Sequence, residues 1–182
     1  HLAVTLTGVT DLGVAEALAA DPYVTHVDTT GLGAQTITWS EYHADAFDEI
    51  ALSNGSLTVT GVDPADQAAL ESLANDARVG SVDLSGQTIS ATNYLAADGK
   101  IATNGLTVNG VANGSIVSMA NDSHVDHFTL ASSTVTEFIT AEQLLSAYQN
   151  NQDFTALEAL FQAFFAKNQT NDLTFAGVSV LR

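Results

Sequence analysis

A six-residue phrase recurs four times along this chain, and it constrains the fold more than any other feature. It reads Val4-Thr-Leu-Thr-Gly-Val9, Leu57-Thr-Val-Thr-Gly-Val62, Leu106-Thr-Val-Asn-Gly-Val111 and Leu173-Thr-Phe-Ala-Gly-Val178. Apolar and small polar residues alternate in it, the period of a strand with one buried face. Gly8, Gly61, Gly110 and Gly177 then hold one fixed offset. Glycine at that offset predicts a strand end where the backbone takes dihedrals that other residues avoid. Self-similarity of this kind marks a repeat architecture.

A helical pattern follows the first three copies. Asp63-Pro-Ala-Asp-Gln-Ala-Ala-Leu-Glu-Ser-Leu73 places Asp63 as N-cap, Pro64 at the first helical position, and Leu70 and Leu73 on one face. Asp11–Ala20 is its counterpart, with Leu12, Ala15 and Leu18 apolar, and Ala112–Ala120 is a weaker third, with Ile116 and Met119. The helices stop at matching phrases: Ala20-Asp-Pro-Tyr-Val24, Asn75-Asp-Ala-Arg-Val79 and Asn121-Asp-Ser-His-Val125. A second strand comes after each, at His26-Val-Asp-Thr-Thr, Ser81-Val-Asp-Leu-Ser-Gly86 and His127-Phe-Thr-Leu. Its spacing from the glycine strands, roughly 22–30 residues, is in the range of solenoid repeats. Strands joined by helical crossovers pair in parallel, with right-handed connections.

The third unit departs from this pattern, with a long helical insertion of two helices, within Thr140–Lys167, after Thr134. Thr140 and Gln143 form a capping-box pattern, and Phe154, Leu157, Leu160, Phe161, Phe164 and Phe165 recur at helical spacing from Asp153 to Lys167. The predicted fold is α/β: repeated strand–helix units forming a parallel, solenoid-like sheet, with a helical hairpin near the C-terminus. Residues 1–135 form the repeat region, 136–170 the helical insertion, and 171–182 the final repeat strand.

Composition excludes several functions. Four basic residues against 21 Asp and Glu give a net charge of −17, which repels phosphate backbones and anionic lipid. No nucleic-acid partner is expected. The apolar stretches are short, so no membrane insertion is expected either. The N-terminal residues lack the basic region of a signal peptide. Cysteine is absent, which removes disulfides, thiolate metal sites and cysteine nucleophiles. The uncharged polar residues are mostly Thr, Ser, Asn and Gln, as in exported bacterial surface proteins.

The Leu-Thr-Val-Thr-Gly-Val phrases, the Ala/Asp-rich helix after them and Val-Asp-Leu-Ser-Gly together resemble repeats of large type I-secreted bacterial surface proteins. The resemblance covers most of residues 4–135. It implies an extracellular or cell-surface location and a role in adhesion, in a surface layer or in a filament. The calcium nonapeptide Gly-Gly-x-Gly-x-Asp that often accompanies such proteins is absent from this chain.

Candidate chemistry is sparse. Asp122, His124, Asp126 and His127 are close enough in sequence to be weighed as a metal site, against the alternative of surface histidines. Tyr23, Tyr42, His26 and His43 raise a second alternative, a secreted protein that binds haem or metal. Asp21, Asp76 and Asp122 recur at turns and suggest oxygen-rich calcium sites. Ser85-Gly86 and Ser115 have no nucleophile-elbow context, and Gly8-x-x-x-x-Gly13 lacks the Lys of a phosphate loop. The carboxylates Asp45, Asp48 and Glu49 read as a solvated helical face. No enzyme is expected. Terminal repeat strands with no cap predict self-association, head to tail.

Overall fold

The computed structural model describes residues 4–29, 31–97, 99–136 and 155–175. Their elements run in the order β1 (Val4–Leu6), α1 (Leu12–Ala19), β2 (Val24–Asp28), β3 (Gln35–Thr38), α2 (Trp39–Tyr42), a 3₁₀ turn (Asp45–Glu49), β4 (Ile50–Ala51) and β5 (Leu57–Thr60). The chain continues through α3 (Gln67–Asn75), β6 (Val79–Asp83), β7 (Thr88–Ser90), α4 (Ala91–Ala96) and β8 (Leu106–Val111). A 3₁₀ turn (Asn113–Ser115), α5 (Ile116–Asn121), β9 (Val125–Leu130), β10 (Thr134–Val135), α6 (Thr155–Lys167) and β11 (Thr174–Phe175) complete it. The described residues up to Leu84, with Leu95–Ala102, form one compact unit; Ser85–Tyr94 and the described residues from Thr103 onward form the other.

The architecture is mixed α/β, and among the described residues every strand pair is parallel. In place of the single solenoid-like sheet expected from the repeats, pairing is divided among small sheets ordered β1-β2-β4, β3-β5-β6, β7-β8-β9 and β10-β11. The division comes from a strand type that the repeated phrase does not contain. Gln35-Thr-Ile-Thr38, Gln87-Thr-Ile-Ser90 and Ser133-Thr-Val-Thr136 contain β3, β7 and β10, and each of those strands begins a new sheet. The chain then returns to the previous sheet before going on. After β3 it adds β4 beside β2, and after α4 it brings Ile101 beside Val82 of β6.

Register aligns the apolar residues into rows. Ile37, Val59, Val82 and Ile101 are neighbours across one sheet, and all four are buried. Ile89, Val108 and Phe128 form the matching row of the other unit, where Asn168 takes the fourth place. Fully burying each Val or Ile side chain contributes about 1.5–3 kcal/mol, so these rows supply much of the cohesion of strands only two to six residues long.

Gly8, Gly61 and Gly110 have φ of +76°, +72° and +77°, as the phrase predicts for its described copies. Gly61 follows the last residue of β5, while Gly110 sits inside β8 where the register slips. A bulge recurs at the start of each second strand. Register shifts between Val4 and Thr5, Leu57 and Thr58, and Leu106 and Thr107 leave Thr25, Gly80 and Asp126 as the extra residues.

The helix starts partly match expectation. Asp11 caps α1 through its bond from the Val14 amide at 2.9 Å. For α3 the cap is Asp66, not Asp63, and the helix begins at Gln67. Asp63 instead closes the preceding turn, accepting from the Ala65 amide, which places Pro64 outside the helix. The first helix of the expected hairpin falls on 140–150, outside the described residues; its second helix is α6. Phe164 of α6 is fully buried, with its ring centroid 5.8 Å from that of Phe128, but Phe165 is 55% exposed and Phe161 is half-buried. The buried stripe is narrower than the phenylalanine spacing implies.

Candidate functional site

Each of the three strand–helix copies turns from helix to second strand in the same way. Asp21, Asp76 and Asp122 stand at this corner, and each Oδ1 accepts from the amide two residues on: Tyr23 at 2.9 Å, Arg78 at 2.8 Å and His124 at 2.9 Å. Each aspartate carbonyl accepts from the amide three residues on, those of Val24, Val79 and Val125. Aspartate suits the place because its short side chain can bond the backbone two residues along.

Two of the corners are clusters. In the second copy, Tyr42 donates its hydroxyl to Asp76 Oδ2 at 2.7 Å. Arg78 grips the same carboxylate through Nη2 to Oδ2 at 2.7 Å and Nε to both oxygens, and its Nη1 donates to the Phe47 and Ile50 carbonyls. The guanidinium also lies 5.2 Å from the Phe47 ring centroid. Lys100 reaches the end of α3, donating to the carbonyls of Leu73 at 3.0 Å and Asp76 at 2.7 Å. In the third copy, Tyr94 donates to Asp122 Oδ2 at 2.5 Å, His124 Nδ1 lies 3.0 Å from Oδ1, and Lys167 donates to the Asp122 carbonyl at 2.6 Å. A lysine at a helix C-terminus also meets the negative end of the helix dipole.

These contacts shift the tyrosines and the aspartates. Burial pushes the Asp76 carboxyl up, but bonds from Arg78 and Tyr42 outweigh it and hold the group below the ordinary carboxylate value. Asp122 is lowered in the same sense: burial opposes, and Tyr94 and His124 prevail. Burial first, then the adjoining carboxylate, pushes Tyr42 up to about 12 and raises Tyr94 likewise. Neither member of either Tyr–Asp pair changes protonation near neutral pH, so neither pair is poised for general acid–base work.

Of the four residues weighed as a metal site, the structure brings together only Asp122 and His124. Asp126 and His127 are both exposed on β9, Asp126 as the bulge residue. Among the described residues no group of three or more His, Asp or Glu side chains could hold a metal ion. Two of the turn aspartates weighed for calcium, Asp76 and Asp122, have both carboxylate oxygens engaged by hydrogen bonds. For the haem alternative, Tyr42 is engaged with Asp76, and the His43 ring stands edge-on to Trp39 at 4.0 Å. Tyr23 and His26 are exposed.

Sequence reasoning missed the corner roles of Tyr42, weighed only for haem or metal, and of Tyr94, Arg78, Lys100 and Lys167. A signal for four of them was present. Thr38 and Ser90 each precede a tyrosine by four residues, in Thr38-Trp-Ser-Glu-Tyr42 and Ser90-Ala-Thr-Asn-Tyr94. The two lysines open one phrase, Lys100-Ile-Ala-Thr-Asn-Gly-Leu-Thr107 and Lys167-Asn-Gln-Thr-Asn-Asp-Leu-Thr174. Comparison with protein-family models, curated proteins and solved structures finds no match.

Proposed function

We propose that this chain is an extracellular structural or adhesive protein of a bacterial cell surface, in a surface layer, adhesin or filament, and that it associates with copies of itself. The observation that carries this reading is the recurring corner. The polar groups gathered there are tied to one another and to helix ends, and the Tyr42–Asp76 and Tyr94–Asp122 pairs keep their protonation across the neutral range, as befits a part that holds repeats together. The −17 charge and the absence of cysteine suit a protein that keeps its fold outside the cell without disulfides.

The strands supply the means of association. Each Thr-Ile-Thr-type strand starts a sheet that later strands of the chain fill. Among the described residues, β1 pairs only with β2, and β11 only with β10. A strand edge with free amides and carbonyls is a template for another strand. Repulsion between two chains of charge −17 opposes contact, and salt screens it. Light scattering at rising protein and salt concentration tests the reading. Mass should grow with both; a monomer under every condition ends the self-association proposal.

A further inference from the structure

The three corners are alike in backbone, but among the described residues only the second and third hold a tyrosine on the aspartate and a lysine at its carbonyl. Lys100 and Lys167 each stand one residue before the residue that bridges to the second strand, in the pairs Val82–Ile101 and Phe128–Asn168. The matching pair in the first copy is Val27–Ile50, so the position of the lysine is held there by Glu49. Register, rather than sequence similarity, sets this equivalence. In the second and third copies the ammonium fills the corner. In the first, a groove of about 520 Å³ is open at that place, with Asp21, Pro22, Thr25 and Glu49 among its lining residues.

The groove keeps the features that hold lysine elsewhere. The Asp21 carbonyl accepts only the Val24 amide among the described residues, whereas its equivalent in Asp76 accepts the Val79 amide and Lys100 together. The C-terminal end of α1 points its carbonyls to this corner and adds negative potential. Two carboxylates line the groove, and residues 1–77 contain no lysine or arginine to neutralise them. The rest of the chain has little to offer, since Arg78, Lys100 and Lys167 are committed to their own corners.

We infer that the groove between the end of α1 and Glu49 receives a lysine side chain from a partner protein, in the place that Lys100 and Lys167 fill in the later copies. Lysine suits it better than arginine. Its compact ammonium carries three donors and meets convergent carbonyls, whereas a planar fork suits a carboxylate. Glu49 adds an ion pair that the internal copies do not have. The groove thus selects a basic segment, and its specificity comes from charge and from a stem length already demonstrated twice within the chain.

The test is an amide-resolved NMR titration of the intact chain with Nα-acetyl-lysine methylamide. The norleucine analogue, which keeps the stem and lacks the ammonium, serves as control. Saturable shifts confined to the amides around Asp21, Thr25 and Glu49, with lysine and not norleucine, are expected. Glu49→Gln should weaken that binding by about threefold, the share of a partly exposed ion pair. Glu49→Lys should abolish it by supplying the side chain in cis, and should raise the melting temperature. If Glu49→Lys fails to fold, the Gln variant alone decides. Shifts spread evenly over the acidic surface, equal response to norleucine, or no effect of Glu49→Gln would each overturn the inference. So would calcium chloride moving the same amides where the lysine probe moves none, since that outcome makes the groove a metal site.

Discussion

Replacing Gly80 by alanine should damage the fold more than any other single methyl added at a described glycine. Gly80 is the bulge residue of β6, and its φ lies outside the left-handed range, so the conformation itself tolerates a side chain. Space does not. A Cβ built there would lie 2.3 Å from the Gly55 carbonyl oxygen, 2.9 Å from its carbon and 3.1 Å from its Cα. Those atoms are backbone, and the loop that carries them is pinned on both sides. The Gly55 amide donates to the Ala77 carbonyl at 2.8 Å, and the Leu57 amide donates to that of Arg78 at 2.9 Å. Reaching ordinary contact requires a retreat of about 1 Å, which stretches one or both bonds. Overpacking costs about 1–3 kcal/mol and a weakened hydrogen bond about 0.5–1.5 kcal/mol, giving roughly 2–4 kcal/mol together. For a chain of this size that lowers the melting temperature by roughly 5–15 °C. Circular dichroism melts of Gly80→Ala and of Asp126→Ala, at the equivalent bulge of β9, make the comparison. The second variant should melt near wild type, since a side chain already stands there. A Gly80→Ala melt within one degree of wild type would refute the reasoning.

Gly61→Ala and Gly110→Ala, which meet open space but keep φ near +70°, should each cost on the order of 1 kcal/mol in urea unfolding. Phe164→Ala should cost about 3–5 kcal/mol, and Phe165→Ala about 0.5 kcal/mol or less, because only the first ring is fully buried. Stability should fall at high pH: the folded state holds Tyr42 protonated up to about 12, so its contribution is complete below the ordinary tyrosine value and is lost as pH rises through the raised one. Melts between neutral pH and strong alkali should therefore slope less in Tyr42→Phe and Tyr94→Phe. At the acid end Asp76 and Asp122 are lowered, so their contribution is complete above the ordinary carboxylate value and is lost as pH falls through the depressed one; Asp76→Asn should flatten that limb.

The parallel α/β class, the capped start of α1 and the positive φ of the phrase glycines were legible because each rests on a short stretch of chain. Asp11 lies three residues from the amide that it caps, and Gly61 needs only its own dihedrals. Three features were not legible. The division into several sheets depends on β3, β7 and β10, strands of two to four residues that carry too few alternations to be read as strands. The cap of α3 was misplaced because Asp63-Pro64 and Asp66 both satisfy local rules, and the bond to the Ala69 amide favours the second. The bulges at Thr25, Gly80 and Asp126 are invisible to a period-2 reading, and one of them turns Asp126 and His127 outward together.

The corners show the same boundary within a single cluster. The bond from each aspartate to the amide two residues on is local, and the recurring phrase around Asp21, Asp76 and Asp122 announces it. The rest arrives from afar: Tyr42 from 34 residues away, Tyr94 from 28, Lys100 from 24 to 27 and Lys167 from 45. Those partners become predictable only once strand register is known, because register brings the residue before Ile101 or Asn168 to the helix end. The same register places Glu49 at the first corner. Knowledge of pairing thus shows that an unremarkable glutamate stands where the later copies carry lysine, a reversal of charge at that position. A chain with so few cations uses two lysines to close two corners and puts a carboxylate at the third, which makes the first corner the place to look for a partner.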